Sequence, residues 1–373
     1  MSRRPSSQIT GDSPALGPVL PILSEVDRIS RVTVCLRPFR AAGPRMDVER
    51  VGDKTVIHNY GHGGSGWSLS WGAAQVALGS ALTALDGSRE IAVIGCGALG
   101  LTAALTAQRA GLRVTIYARE LPPHVRSSRA TGSWTPDSRI ALASAASAAF
   151  PAQWEAMARA SFATYQTHLD MPGQPIEWTD RYLLSDIPWE QELGRREQED
   201  RHGFAHYVQR IADITPPNRL LPAGATPFPT RYVNHTTTMT FNVADYSRQL
   251  IDDFQSAGGL IHTREFHSPG DLASLPQSVL INCTGYGARQ LWSDESIVPV
   301  RSQIAWLTPQ PEINYGIYFG DLIVLGRREG IVVQPSPGGE NFGWNDDNEQ
   351  PDLAAAEQGV RDVASIYSRH PRP

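Results

Sequence analysis

The chain has little cysteine, no long basic run and no unbroken apolar stretch of membrane-spanning length, and each shortage removes a class of protein. Cysteine occurs three times in 373 residues, as Cys35, Cys96 and Cys283. An odd number at such wide spacing gives no disulfide framework and no Cys-x-x-Cys pair, so a reducing compartment, the cytoplasm, is the simpler setting. Net charge is −5, and without a basic patch no nucleic acid is expected as partner. No apolar run is long enough to cross a bilayer, so no membrane is expected either. Met1 to Leu23 is polar and proline-rich, and its apolar stretch Leu16 to Leu23 is broken by Pro18 and Pro21. That is a poor core for a secretion signal and reads as a flexible arm. The end, His370-Pro371-Arg372-Pro373, is not a peroxisomal address. No repeat of solenoid length occurs.

What is present is glycine, gathered at two corners. Thr55 to Gly72 reads TVIHNYGHGGSGWSLSWG. Val56-Ile57 ends a strand, glycines follow at 61, 63, 64 and 66, and Trp67 to Leu85 is a helix rich in Ala and Leu. Backbone without Cβ atoms approaches a ligand closely, and the helix N–H groups point out of the turn. Ile91 to Gly100, IAVIGCGALG, repeats the arrangement with Gly95, Gly97 and Gly100 in GxGxxG spacing. Here the glycines follow a strand, open the helix Ala98–Ala110 and sit in a βαβ unit completed by Leu112 to Ala118. Glu120 stands about twenty residues past the last glycine, where an acid meets a ribose hydroxyl. That context favours dinucleotide binding over a bare tight turn, but does not separate NAD, NADP and FAD. The loop Val125 to Thr131 adds two arginines and three hydroxyls for phosphate, or for solvent.

The remaining pattern predicts helices at Phe150–Leu169, Glu190–Arg201, Val243–Ala257 (with Asn242 and Asp245 as its cap) and Asp352–Tyr367. Strands are predicted at Arg31–Leu36, Ile176–Leu184, Arg231–Phe241, Leu260–Phe266 and Val279–Cys283, with a hairpin over Val48–Ile57. From Val298 onward long strands follow one another, an antiparallel pattern. His58 and His62 stand four apart like zinc ligands, but Asn59, Gly61 and Gly63 disfavour a helix and no acid or cysteine is near, so no metal is expected. The HGGSG string lacks the G-x-S-x-G elbow that a serine hydrolase would need.

HNYGHGGSG, preceded by Val56-Ile57, resembles the signature of the D-amino-acid oxidase family of FAD enzymes. IAVIGCGALGL, VTIYARELPP, ATGSWTPD and LINCTG resemble that family's flavin-binding segments in their usual order, and GIYFGDLIVLGRREGIVV its substrate-domain strands. The resemblance runs from about Arg31 to about Arg361. It departs in one respect: the HNYGHGG segment, which closes the family's chains, here precedes the GxGxxG strand, as in a circular permutation joined at Asp86–Glu90. The resemblance implies that Arg37, in CLRPFR, grips a substrate carboxylate, that the Gly64 carbonyl receives the amine, and that Tyr318 faces the substrate. The family's second carboxylate contact, four residues on, is Leu322 here, which implies a more apolar pocket. The implied FAD-binding residues are Gly63, Gly64, Ser65, Gly66, Trp67, Ser68, Gly95, Gly97, Ala98, Leu99, Gly100, Arg119, Glu120, Ser127, Ser128, Thr131, Gly132, Trp134, Thr284 and Gly285. Trp134 and Thr135 would line the flavin and pocket, and backbone N–H groups from Gly66 to Leu69 would stabilise charge on reduced flavin.

These readings combine into an α/β protein: a Rossmann-like FAD-binding domain (31–140 and 243–292) and an antiparallel β-sheet substrate domain with helices (141–242 and 293–369), after an arm over 1–30. The activity implied is oxidative deamination of a D-amino acid or related amino acid, with hydride transfer to FAD and release of imine or oxo acid, ammonia and peroxide. Its partners would be the amino-acid or amine substrate and molecular oxygen, with a homodimer as the assembly allowed. Three alternatives stay open. One is a flavin amine oxidase or dehydrogenase for glycine-like, N-methylated or tailoring-pathway substrates. The others are a flavin-binding protein without turnover and a NAD-dependent dehydrogenase.

Overall fold

The computed structural model describes residues 19–368. The first part of the expected arm and the C-terminal His370–Pro373 lie outside the described residues. The strands, in chain order, are β1 (Ile29–Arg40), β2 (Val48–Val51), β3 (Lys54–His58), β4 (Glu90–Ile94), β5 (Arg113–Ala118), β6 (Ile176–Ser185), β7 (Arg219–Leu220), β8 (Tyr232–Phe241), β9 (Leu260–Thr263), β10 (Val279–Asn282), β11 (Ile297–Leu307), β12 (Tyr315–Phe319), β13 (Leu322–Arg327) and β14 (Gly330–Pro335). The α-helices are α1 (Gly66–Ala84), α2 (Ala98–Arg109), α3 (Phe150–Gln166), α4 (Trp189–Glu199), α5 (Val243–Ser256), α6 (Ala288–Leu291) and α7 (Leu353–Ser368).

Two sheets carry the site. The six-stranded sheet has the order β2-β3-β10-β4-β5-β9. It is parallel from β3 to β9, with β2 antiparallel at its edge as the predicted hairpin requires. Its central strands are apolar on both faces, because both are covered, one by α1 and α2 and the other by Phe266, Leu272, Leu275 and Trp292: Val279, Leu280 and Ile281 are all buried, as are Ile91 to Ile94. The eight-stranded sheet has the order β1-β11-β14-β13-β12-β6-β8-β7. It is antiparallel except where β6 runs parallel to β12.

α1 is buried along most of its length between neighbours, so its small residues matter more than any polar face. A Cβ at Gly72 would lie 2.2 Å from the Met157 carbonyl oxygen of α3, and the Gly72 N–H donates to Ser161 Oγ at 2.8 Å. On the other side Thr102 Oγ1 of α2 donates to Ser70 O at 3.1 Å.

Three expectations change. Arg31–Leu36, assigned to the dinucleotide domain, lies in the large sheet, because β1 pairs with β11 from Arg40↔Ile297 to Ile29↔Leu307. Residues 19–30, expected as arm, are held down: Ile22 is buried, and Leu23 exchanges two hydrogen bonds with the Gln310 amide. Asn242 does not cap α5; its Nδ2 donates to Gln174 O and Glu177 Oε1 while its Oδ1 accepts from Arg328 N.

Candidate active site

Both glycine corners open on one cavity of about 1000 Å³. At the first, backbone is pressed against backbone. Gly63 N donates to Pro38 O at 2.9 Å and Gly64 N to Ser138 O at 3.0 Å. Gly63 has φ +54, and a Cβ there would stand 1.9 Å from the Arg139 carbonyl oxygen, so both conformation and space demand glycine. Gly66 opens α1 and a Cβ on it would meet nothing within 4 Å. At the second corner Gly95, with φ +108, lies against the Cys283 carbonyl. Gly97 precedes α2.

Neither α1 nor α2 has a side-chain cap from its N-cap residue or an acid in its first turn. Two positive helix ends with donors to spare therefore face one space. Ser127 ties them together: its Oγ accepts from Ala98 N at 3.1 Å, and its carbonyl accepts from Trp67 Nε1 at 2.8 Å.

The outer reach of the cavity is lined by Arg119, Glu120, Glu265 and Phe266. Arg119 is paired with Glu265 at 3.3 Å and Glu120 at 3.7 Å. The inner reach holds Arg37 from β1 and Tyr318 from β12. No hydrogen bond or ion pair engages the Arg37 guanidinium among the described residues. Burial draws its pKa down, opposed by the Cys35 thiol and the Glu340 carboxylate. Tyr318 Oη donates to Ser133 Oγ at 3.4 Å. Arg139 lines the same end, with Nε donating to Glu340 O at 2.8 Å and Nη2 to Gly339 O at 3.2 Å. Burial brings Arg139 down to about 10, with the positive charge of Arg37 adding to the effect and Glu340 opposing it. His62 is buried on the wall with neither ring nitrogen bonded, and burial pushes it down to about 3. Cys35, Cys96 and Cys283 also line the cavity; burial raises all three thiols, those of Cys96 and Cys283 to about 12.

Of the residues singled out in the sequence, the cavity wall gathers Arg37, Tyr318, Gly63, Gly64, Gly66, Trp67, Ser68, Gly95, Gly97, Ala98, Leu99, Arg119, Glu120, Ser127, Thr131, Gly132, Thr135, Thr284 and Gly285. Four stand behind it. Gly100 lets α2 close on its own turn, since a Cβ would lie 2.0 Å from the Gly95 oxygen. Ser65 Oγ is spent on Ser138 O at 3.0 Å. Ser128 Oγ is buried without a partner. Trp134 packs edge-on against Phe162 and Tyr165, with centroids 5.7 and 5.8 Å away, and belongs to the core.

Leu322 is also off the wall, buried in the apolar cluster of the large sheet with Tyr182 and Val324. The reason is register: Tyr318 pairs with Ile323, and Leu322 pairs with Phe319. Ile323 therefore shares the cavity with Tyr318, and the change at Leu322 does not reach the pocket. His58 is bonded to Glu49 Oε2 at 3.0 Å and Asn282 Nδ2 at 3.1 Å, which ties β2, β3 and β10. Arg139, Glu340 and the wall position of His62 were not foreseen. The Gly338-Gly339 turn before Glu340 was the one local signal, and the packing of residues 138–139 on the glycine corner is a contact between distant segments.

Two glycine cradles, two open helix ends, an unbonded His62 and a separate outer reach fit a long, anionic, ring-bearing molecule. Comparison with known proteins agrees. The family model described as FAD dependent oxidoreductase matches residues 90–369. A D-amino-acid oxidase of Streptomyces coelicolor is 27% identical over 285 residues, covering 74% of this chain and 78% of that protein. A D-amino-acid oxidase of Dictyostelium discoideum is 27% identical over 220 residues, covering 58% of this chain and 56% of that protein, so the match spans little more than half of that relative's length. Among solved structures, L-proline dehydrogenase from P. horikoshii is similar with TM-score 0.52 and 14% identity, covering 77% of this chain and 78% of that one. The chain thus belongs to the FAD-dependent oxidoreductases, with FAD as its cofactor.

Proposed function

We propose that this protein oxidises an α-amino acid, most simply a D-amino acid, at the amine-bearing carbon. The observation that carries the reading is Arg37: a guanidinium without a protein partner, open to the cavity beside Tyr318 and the Gly63–Gly66 corner. A planar fork of this kind holds a carboxylate through parallel N–H bonds and so fixes the neighbouring carbon. The Gly64 carbonyl is then the acceptor for the amine. The Gly95–Ala98 turn and Ser127 would hold the pyrophosphate, and the N–H groups opening α1 would face the flavin ring. When bound, FAD supplies a two-electron acceptor that takes a hydride and passes the electrons to oxygen as peroxide. The protein orients the α-carbon, accepts the amine proton contact at Gly64, and keeps the inner reach dry. The relatives named D-amino-acid oxidase support this substrate class.

Anaerobic bleaching of the flavin by a panel of D- and L-amino acids, N-methylated and glycine-like substrates and simple amines tests it. D-amino acids should bleach and, under air, yield peroxide. Arg37→Ala should abolish bleaching and leave a yellow protein. Unchanged turnover in that variant would refute the role of Arg37.

We also read the chain order as circularly permuted. The family match begins at residue 90, after the HNYGHGG segment. The two ends of the described chain lie together: Tyr315 Oη donates to Leu20 O at 2.6 Å and meets Tyr367 Oη at 2.7 Å.

A further inference from the structure

Arg181 of β6 is 1% exposed, yet no acidic side chain is ion-paired with it among the described residues. The nearest acids are occupied elsewhere: Asp180 accepts from His235 at 2.9 Å and Thr237 at 3.2 Å, and Glu177 from Asn242 at 2.6 Å. The guanidinium is held by neutral oxygens, with Nη1 on Thr179 Oγ1 and on Asp180 O at 3.1 Å, and Nη2 on Thr240 Oγ1 at 2.6 Å. Its Nε is buried and unbonded. A buried cation with no acid in contact is costly, and neutral acceptors together with the more distant charges of Asp180 and Glu177 offset only part of that cost.

The sheet directs this side chain toward the cavity. β6 and β12 run parallel with Arg181 opposite Gly316 and Leu183 opposite Tyr318. A Cβ at Gly316 would lie 2.9 Å from Arg181 Cδ and 3.1 Å from its Nε, so glycine there leaves the path open. Tyr318 stands two positions along β12 from Gly316 on the same face, and the Arg181 charge interacts electrostatically with its hydroxyl. Tyr318 lines the cavity; Arg181 does not. A full positive charge thus stands one side chain behind the wall, on the face that shares its cavity with Arg37.

We propose that Arg181 is a positioning residue that presents the Tyr318 hydroxyl as a donor to a carboxylate in the cavity and extends its own positive potential through it, so that amino acids are selected over amines lacking the carboxylate. The proposal rests on the amino-acid reading of the site. Arg37 meets the carboxylate directly, and Arg181 acts from behind. A bound anion would add the nearby negative charge that Arg181 lacks by direct contact, and across a buried wall cation and anion interact more strongly than in water.

The test uses the full-length FAD-loaded protein with two probes, propionate and its uncharged counterpart propionamide, bound anaerobically and read by calorimetry. R181M should weaken propionate binding about tenfold or more and leave propionamide within about twofold. R181K should restore most of the loss. With the best amino acid of the panel, KM should rise by a similar factor while kcat moves less. In a Y318F background R181M should add less than about twofold. An equal effect on both probes, or the same loss with Y318F as without it, would overturn the proposal. If R181M does not load FAD, Y318F decides alone, with Arg181 intact. It should erase the same part of the propionate preference, and an unaltered preference would overturn the coupling. Absence of propionate binding in the unmodified protein would overturn the amino-acid reading itself. Retained binding that is insensitive to R181M and R181K overturns this inference alone.

Discussion

His62 sits in the cavity wall with both ring nitrogens unbonded, and burial pushes its pKa down to about 3. In the unfolded chain the same group titrates at about 6.5. Between those values the unfolded state binds a proton that the folded state refuses, so stability falls as pH drops through 6 and 5. The limiting slope for one such group is about 1.4 kcal/mol per pH unit. His58 and His168 are also lowered by burial and add to the acid limb, so the difference between variant and parent isolates His62. Urea unfolding at pH 7, 6 and 5 should show a flatter acid limb for His62→Gln; parallel limbs would mean that His62 is protonated in the fold. Residues of this kind show what was legible. Glycines with a set spacing between a strand and a helix announced themselves, because the local chain alone dictates their conformation. Arg37 was legible only through the resemblance. Arg139 and Glu340 were not legible, since what makes them cavity residues is contact between segments about two hundred positions apart.

Among the helices, α1 shows how a cavity-facing element is anchored from its far side. Gly72 admits the α3 backbone, with the Met157 oxygen at 2.2 Å from a would-be Cβ, whereas a Cβ at Gly79 meets nothing within 4 Å. Gly72→Ala should force the two helices apart and cost roughly 3 kcal/mol or more, as overpacking against rigid backbone does. Gly79→Ala should be neutral or stabilise by roughly 0.5–1 kcal/mol, because it removes freedom from the unfolded chain and favours the helix. Thermal unfolding of the two variants side by side checks both, and similar losses at both positions would sink the distinction. Element ranges were legible to within a few residues, since apolar period and glycine stops mark them. Partners were less so. β1 was grouped with the strands that follow it, and its true neighbour is β11. Short-range pattern records that a strand has an apolar face, not which strand will cover its edge. The parallel β6–β12 pair inside an otherwise antiparallel sheet has no local signature either.

For the whole molecule, the order of segments is separable from their placement if the permuted reading holds. A chain opened between Asp86 and Glu90, with residue 368 joined to residue 19 by a short flexible linker, should fold, bind FAD and give the circular dichroism of the parent. Failure to bind FAD while the parent does would argue that the present order is required for the fold. The present order also has a cost in time. β1, which carries Arg37, is made before its partner β11, which begins at Ile297, more than 250 residues later. Closing so long a loop is slow compared with forming local helices and hairpins. On the ribosome, β1 must therefore wait as an unpaired strand with buried-type side chains such as Val34 and Leu36 exposed. The βαβ unit around Gly95–Gly100 can form meanwhile, but the inner end of the cavity closes only when the last third of the chain has been made. Nascent protein would thus carry the corner proposed to seat the dinucleotide before the end of the cavity proposed to hold a substrate.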